Sequence, residues 1–267
     1  MNSVKTFAKM KKDNQKIVML TAYDYPSAKY NEAAGVDIIL VGDSLGMVVQ
    51  GYHDTLQVTM DDMIYHTRAT RRGAPNTFIA GDMPFMSYHI NLEETKKNAA
   101  RFIIEAGANA VKLEGGTLAR IEMIRAIRDC EIPVVAHLGL TPQSIHALGG
   151  YAIQGKKQKD FELLKEQALA VQNAGAFMLV LEGIPEQLGK EISEMLKIPT
   201  IGIGAGRYTD GQVLVYHDIL GMSDLEPKFL KIYARLSQTI TESIKSYYGD
   251  VKKGSFPAEE HVYKPIK

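Results

Sequence analysis

A chain of 267 residues, 45% apolar and 23% charged, has material for one (β/α)8 barrel, which needs about 250 residues, or for two smaller domains. Its 31 basic and 31 acidic side chains cancel, so no global field draws it to nucleic acid or to an anionic membrane. The single cysteine, Cys130, excludes an intrachain disulfide and suits a reducing, cytoplasmic setting.

In chain order, the N-terminal segment shows neither the apolar core of a signal peptide nor the run of about 20 apolar residues that crosses a membrane. Lys9, Lys11, Lys12 and Lys16 read as a solvated helix face, and Lys156, Lys157 and Lys159 as an exposed loop. Cys130 has no motif around it and reads as a packing residue. The first strand is predicted over Ile17 to Asp24. A second follows Gly35, a residue suited to a left-handed helix cap, and runs through apolar residues to Asp43. The same design recurs before Glu114, after Gly107, and before Glu182, after Gly175. The third strand, 74–82, ends in Asp82. Asn91, with Glu94 three residues on, opens a helix that ends near Gly107.

Ile-Pro pairs at 132–133 and 198–199 open the fifth and seventh strands, where proline forfeits little. Between them a helix over Phe161 to Asn173 ends at Gly175. Val213 to Asp218 is the candidate eighth strand. Phe229, Ile232, Tyr233, Leu236, Ile240 and Ile244 mark one face of a late helix. Short continuous apolar strands suit a parallel sheet covered on both faces, and their alternation with helices gives the α/β class. At this length we expect a single-domain TIM barrel over 1–267, with a short N-terminal helix and a C-terminal helix and tail. An open doubly wound sheet is the alternative.

In such a barrel the active site lies at the C-terminal ends of the strands. Asp24, Asp43, Asp82, Glu114, His137 and Glu182 all fall there. Asp24 reads as a helix cap. Asp43, Asp82 and Glu114 converging on one mouth need a cation, and an all-oxygen set without a Cys or His pair favours Mg²⁺. Lys112, two residues before Glu114, faces the same way, either to pair with an acid or to take a substrate carboxylate. Glu182 ends an apolar strand, surroundings that suit a general base. His137, a lone histidine at a strand end, reads as a hydrogen-bonded structural group sooner than as a catalyst. Gly202-Ile203-Gly204-Ala205-Gly206 follows the seventh strand as phosphate turns do, but no helix clearly opens after it.

Thr21-Ala22-Tyr23-Asp24-Tyr25, Val41-Gly42-Asp43-Ser44-Leu45-Gly46-Met47, Asp82-Met83-Pro84-Phe85, Val111-Lys112-Leu113-Glu114-Gly115-Gly116 and His137-Leu138-Gly139-Leu140-Thr141-Pro142-Gln143-Ser144 together resemble the ketopantoate hydroxymethyltransferase family. Leu179-Val180-Leu181-Glu182 and the Gly202–Gly206 turn extend the match. The resemblance implies a homo-oligomer, often a decamer, in the cytoplasm. It implies hydroxymethyl transfer from 5,10-methylenetetrahydrofolate to the keto acid 3-methyl-2-oxobutanoate through a Mg²⁺-stabilised enolate, with one ion per subunit, in pantothenate and coenzyme A biosynthesis. Asp43 and Asp82 would be metal ligands, with Glu114 in or beside that shell. Asp43, Ser44, Asp82 and Lys112 would contact the keto acid, Glu182 would accept its proton, and the pterin would lie near Gly204. A related Mg²⁺ barrel lyase and a barrel that has lost catalysis are the competing readings.

Overall fold

Eight short strands supply the frame: β1 Ile17–Thr21, β2 Ile38–Val41, β3 Phe78–Asp82, β4 Ala110–Glu114, β5 Val134–Gly139, β6 Met178–Glu182, β7 Thr200–Ile203 and β8 Gly211–Leu214. Each pairs in parallel with the next, and β8 pairs with β1, so the sheet closes as the expected barrel. The helices are α1 Val4–Lys12, α2 Tyr25–Ala33, α3 Leu45–Val48, α4 Met60–Gly73, α5 Leu92–Ile104, α6 Leu118–Arg128, α7 Ile145–Leu148, α8 Gln158–Ala174, α9 Glu186–Met195, α10 Tyr216–Ile219 and α11 Leu236–Lys253. The computed structural model describes residues 2–225 and 227–265. The chain divides into two compact units, one ending at Tyr216 and one beginning at His217. Among the described residues no helix is long and apolar enough to cross a membrane.

Alternation along the strands builds two separate cores. Ile39, Val41, Ile79, Val111 and Leu113 face outward onto the helices. Ile38, Leu40, Phe78, Ala80, Ala110, Val135, Met178 and Val180 fill the barrel interior. The inward column continues with the same period of two. After Ala80 comes Asp82, after Ala110 come Lys112 and Glu114, after Val135 comes His137, and after Val180 comes Glu182. The interior is therefore apolar toward the N-terminal ends of the strands and charged toward the C-terminal ends. Register fixes the neighbours across strands: Asp82 pairs with Lys112, and Glu114 with His137.

The apolar end is stoppered by α1. Ser3 and Thr6 cap this helix reciprocally, and Phe7, fully buried, meets Phe78 edge-on at 5.1 Å and Phe177 at 6.4 Å. Lys11 Nζ donates to Asp210 at 2.7 Å and to the Ser193 carbonyl at 2.8 Å, while Lys16 Nζ donates to the Thr209 carbonyl. The basic run is exposed at Lys9, Lys12 and Lys16 as expected, and Lys11, half-buried against Asp210, is the exception. Lys156, Lys157 and Lys159 are exposed as expected.

Gly35, Gly107 and Gly175 adopt φ of 79°, 71° and 106° at their helix ends, as their positions predicted. Asn91 caps α5 by accepting from the Glu94 amide. The first strand is shorter than expected, because Asp24 accepts from the Ser27 amide and caps α2. The eighth strand lies earlier than expected. Pairing of Gly211 with Ile17 and Ile201 starts it, and Tyr216 already belongs to α10. Phe229 to Arg235 is not helical. The amides of Tyr233 and Leu236 bond to the carbonyls of Ile219 and Leu220, which removes them from a helical ladder. Cys130 is exposed beyond α6, so it is not a packing residue.

Candidate active site

The ends of β2 to β6 deliver seven side chains to the charged end of the barrel. Asp43 and Ser44 follow β2, Asp82 ends β3, Lys112 and Glu114 lie on β4, His137 on β5 and Glu182 on β6. Asp43, Asp82, Lys112, Glu114 and His137 are buried. Glu182 is the open member, with 18% of its side chain exposed.

Lys112 Nζ is locked onto Asp82, 2.7 Å from Oδ1 and 2.8 Å from Oδ2, and stands 3.7 Å from Glu114 Oε1. The pairing with an acid that was one of two roles open to this lysine is present. Asp82 Oδ2 also accepts from the Asp43 amide at 3.3 Å. His137 lies between two acids, with Nδ1 3.4 Å from Glu114 Oε1 and Nε2 3.3 Å from Glu182 Oε2. These are ion-pair distances without hydrogen-bond alignment. Ser44 is tied by its hydroxyl to the Tyr23 phenol at 2.8 Å. Glu182 therefore has a histidine beside it and water in reach, rather than the wholly apolar surroundings expected from its strand.

The electrostatics follow from burial. Burial first, then the charge of Asp82, holds the Asp43 carboxyl well above the usual range. Asp82 is also raised, burial outweighing the opposing pull of Lys112. Burial works against the charged form of Lys112, but Asp82, Glu114 and Asp43 outweigh it and hold the proton firmly. Burial and Lys112 oppose a charge on His137, yet its contacts with Glu114 and Glu182 prevail and push it up to about 9. Glu114 is lowered: burial is overcome by His137 and Lys112.

Four carboxyl groups thus face two cations, and burial and the charge of Asp82 make Asp43 the one hardest to ionise without a further cation. Among the described residues no three His, Cys, Asp or Glu side chains form a ready-made metal cage. The donors present still suit a hard dication that a chelating substrate completes: carboxylate oxygens only, a surplus of negative charge, and a Glu114 Oε1 that is buried without a hydrogen bond.

The glycine turn lies at the same end of the barrel. Gly204, at φ 61°, accepts at its carbonyl from Ile184, two residues beyond Glu182. The turn leads into β8 and not into a helix, so it lacks the helix N-terminus that a phosphate turn uses.

Two buried residues went unnoticed as site residues in the sequence. Gln143, in the short 3-10 turn Pro142–Ser144 after β5, donates from Nε2 to Asp43 Oδ2 at 2.8 Å. Tyr88, in the loop after β3, donates to Gln143 Oε1 and accepts from the Glu114 amide. Neither is charged and neither ends an apolar run. The only signal was the Thr141-Pro142-Gln143 turn directly beyond the His137 strand.

The comparisons with known proteins bear on the family and the fold. The family model described as "Ketopantoate hydroxymethyltransferase" matches residues 1–259. A 3-methyl-2-oxobutanoate hydroxymethyltransferase of Geobacillus sp. (strain WCH70) is 58% identical over 258 residues, covering 96% of this chain and 92% of the relative. One of Bacillus subtilis (strain 168) is 56% identical over 258 residues, covering 96% and 93%. Among solved structures, a phosphonopyruvate hydrolase complexed with oxalate and Mg⁺⁺ shares the fold, with a TM-score of 0.63 at 11% identity over 98% of this chain and 93% of that one. With full-length identity at this level and the site on the strand ends where a barrel enzyme carries it, the chain belongs to the ketopantoate hydroxymethyltransferase family of one-carbon transferases.

Proposed function

We propose that this chain transfers a hydroxymethyl group from 5,10-methylenetetrahydrofolate to 3-methyl-2-oxobutanoate, giving ketopantoate. The observation that carries the reading is the gradient of the inward column. It ends in a buried cation–carboxylate cluster, with one carboxylate, Glu182, at the open rim.

The keto acid would lie against Asp43, Ser44, Asp82 and Lys112. The ammonium of Lys112, held by Asp82, faces the negative charge that grows on the keto oxygen as C3 loses its proton. Glu182 takes that proton, and His137 at its side holds the carboxylate toward the cavity. A magnesium ion, one per subunit held by Asp43 and Asp82 with Glu114 behind them, would supply Lewis-acid charge to the keto acid's oxygens. The C3 carbanion forms its new bond to the methylene carbon of the folate, and water completes the hydroxymethyl group as tetrahydrofolate leaves. The loop after β6 and the Gly204 turn border the rim, where the pterin would sit. Cytoplasmic location, a homodecamer and a single barrel domain complete the reading.

The test follows the C3 proton of 3-methyl-2-oxobutanoate by NMR in D₂O with Mg²⁺ and no folate. Wild type should exchange it and Glu182→Gln should not, with a loss of at least about a hundredfold. Absence of exchange in wild type, together with no ketopantoate from methylenetetrahydrofolate, would sink the proposal.

A further inference from the structure

Gln143 spends its whole side chain on the cluster without touching the open cavity. Its Nε2 donates to Asp43 Oδ2 at 2.8 Å and to the Met83 carbonyl at 2.9 Å. Its Oε1 accepts from the Tyr88 hydroxyl, and its own amide donates to Glu114 Oε2 at 3.1 Å. One residue thereby joins the ends of β2, β3 and β4 to the segment after β5. It is 4% exposed and Tyr88 1%, so water does not substitute for these partners.

The direction of every bond in this network is determined. The Glu114 amide can only donate, and it points at the Tyr88 oxygen at 3.2 Å. The phenol must accept there, so its single proton goes to Gln143. The carboxamide oxygen is therefore the atom facing Tyr88, and the Nε2 protons face Asp43 Oδ2 and the Met83 carbonyl. A flipped carboxamide would put its oxygen against a carboxylate and a carbonyl, and its NH₂ against the phenol. In a buried site each unpaired polar atom is costly, so one orientation wins. Asp43 Oδ2 then accepts from the carboxamide, which leaves Oδ1 the less engaged oxygen toward a ligand.

We propose that Gln143 is a positioning residue for Asp43. Its carboxamide, oriented by Tyr88, fixes which carboxylate oxygen meets the cation and the keto acid. The inference rests on the metal reading given above and deepens it. The loop after β3 and the turn after β5, which carry no ligand themselves, set the geometry of Asp43.

The experiment measures Mn²⁺ binding alone, by electron paramagnetic resonance of the free ion, for wild type, Gln143→Met and Tyr88→Phe, with the Tm of each. Methionine keeps length and volume but removes both donors and the acceptor. Gln143→Met is expected to weaken Mn²⁺ binding by about tenfold to a hundredfold, as supporting residues of metal ligands do. Tyr88→Phe, which leaves the carboxamide in place but frees its orientation, is expected to weaken it by a smaller factor. A lowered Tm with unchanged Mn²⁺ affinity in Gln143→Met overturns the proposal, since the amide would then be a structural tie only. If Gln143→Met does not fold, Tyr88→Phe decides: unchanged affinity overturns the proposal and weakened affinity supports it. A wild type that binds no Mn²⁺ brings down the metal reading itself, which is a different failure from a variant that binds as wild type does.

Discussion

Lys112 shows how one inward position can be read correctly and still leave its role open. Its spacing from Glu114 places both on one face of β4, and the structure puts them 3.7 Å apart. The choice of partner came from register, because Asp82 is its neighbour across β3 and β4, and register is not written in either segment alone. Asp43, Asp82, Glu114 and Glu182 were legible because each ends an apolar run. Gln143 and Tyr88 were not, because neutral loop residues gain their meaning only when the loops meet. A further residue, His89, gives a test by pH. It packs 4.3 Å from the Tyr88 ring and 5.3 Å from Phe85. Burial, then the charge of Arg120, push it from 6.5 down to about 4. Between those values the unfolded chain binds a proton that the folded chain refuses, so stability falls as pH falls through this window. His89→Gln removes that share. Its urea midpoint should therefore rise relative to wild type as pH drops from 6.5 toward 4, and a pH-independent difference would refute the account.

At the scale of elements, α1 links sequence to architecture most directly. Its apolar residues looked unremarkable beside four lysines, yet Phe7 stoppers the barrel between Phe78 and Phe177. Phe7→Ala should lower the unfolding free energy by about 3–5 kcal/mol, read from denaturant curves. The KM for the keto acid should stay unchanged, because the substitution lies at the apolar end of the column. A raised KM would show that the two ends are coupled. The helices with clear caps, α5 and α8, were legible to within a few residues, since capping and left-handed glycine are local physics. The late helix was overextended for the opposite reason. The apolar spacing of Phe229 and Tyr233 mimics a helix, while the amides of that segment find partners elsewhere.

At the scale of the barrel, class and strand count followed from the repeated glycine, apolar run and acid of three strands, the Ile-Pro entries of two and the apolar runs of the rest. Closure did not. It depends on β8, four residues of which Gln212 is exposed and Gly211 has no side chain, pairing with β1 through Gly211 and Ile17. Such a strand has too little apolar content to announce itself, and an open sheet stayed a live alternative until that pairing was seen. Closure also means that every approach to Asp43, Asp82 and Lys112 comes from one side, because the other is filled by aromatic rings.

A chamber with one door imposes a queue. On the proposed function, the small keto acid would lie at the bottom, among buried groups, and the bulky folate at the rim near Glu182, so the first to enter would be the last able to leave. Steady-state kinetics should accordingly be ordered, with keto acid bound before folate. An unreactive folate analogue that competes with the donor should inhibit uncompetitively against the keto acid. Competitive or mixed inhibition in that plot would mean that the donor can enter the empty chamber, and that the order is not imposed by the stoppered end.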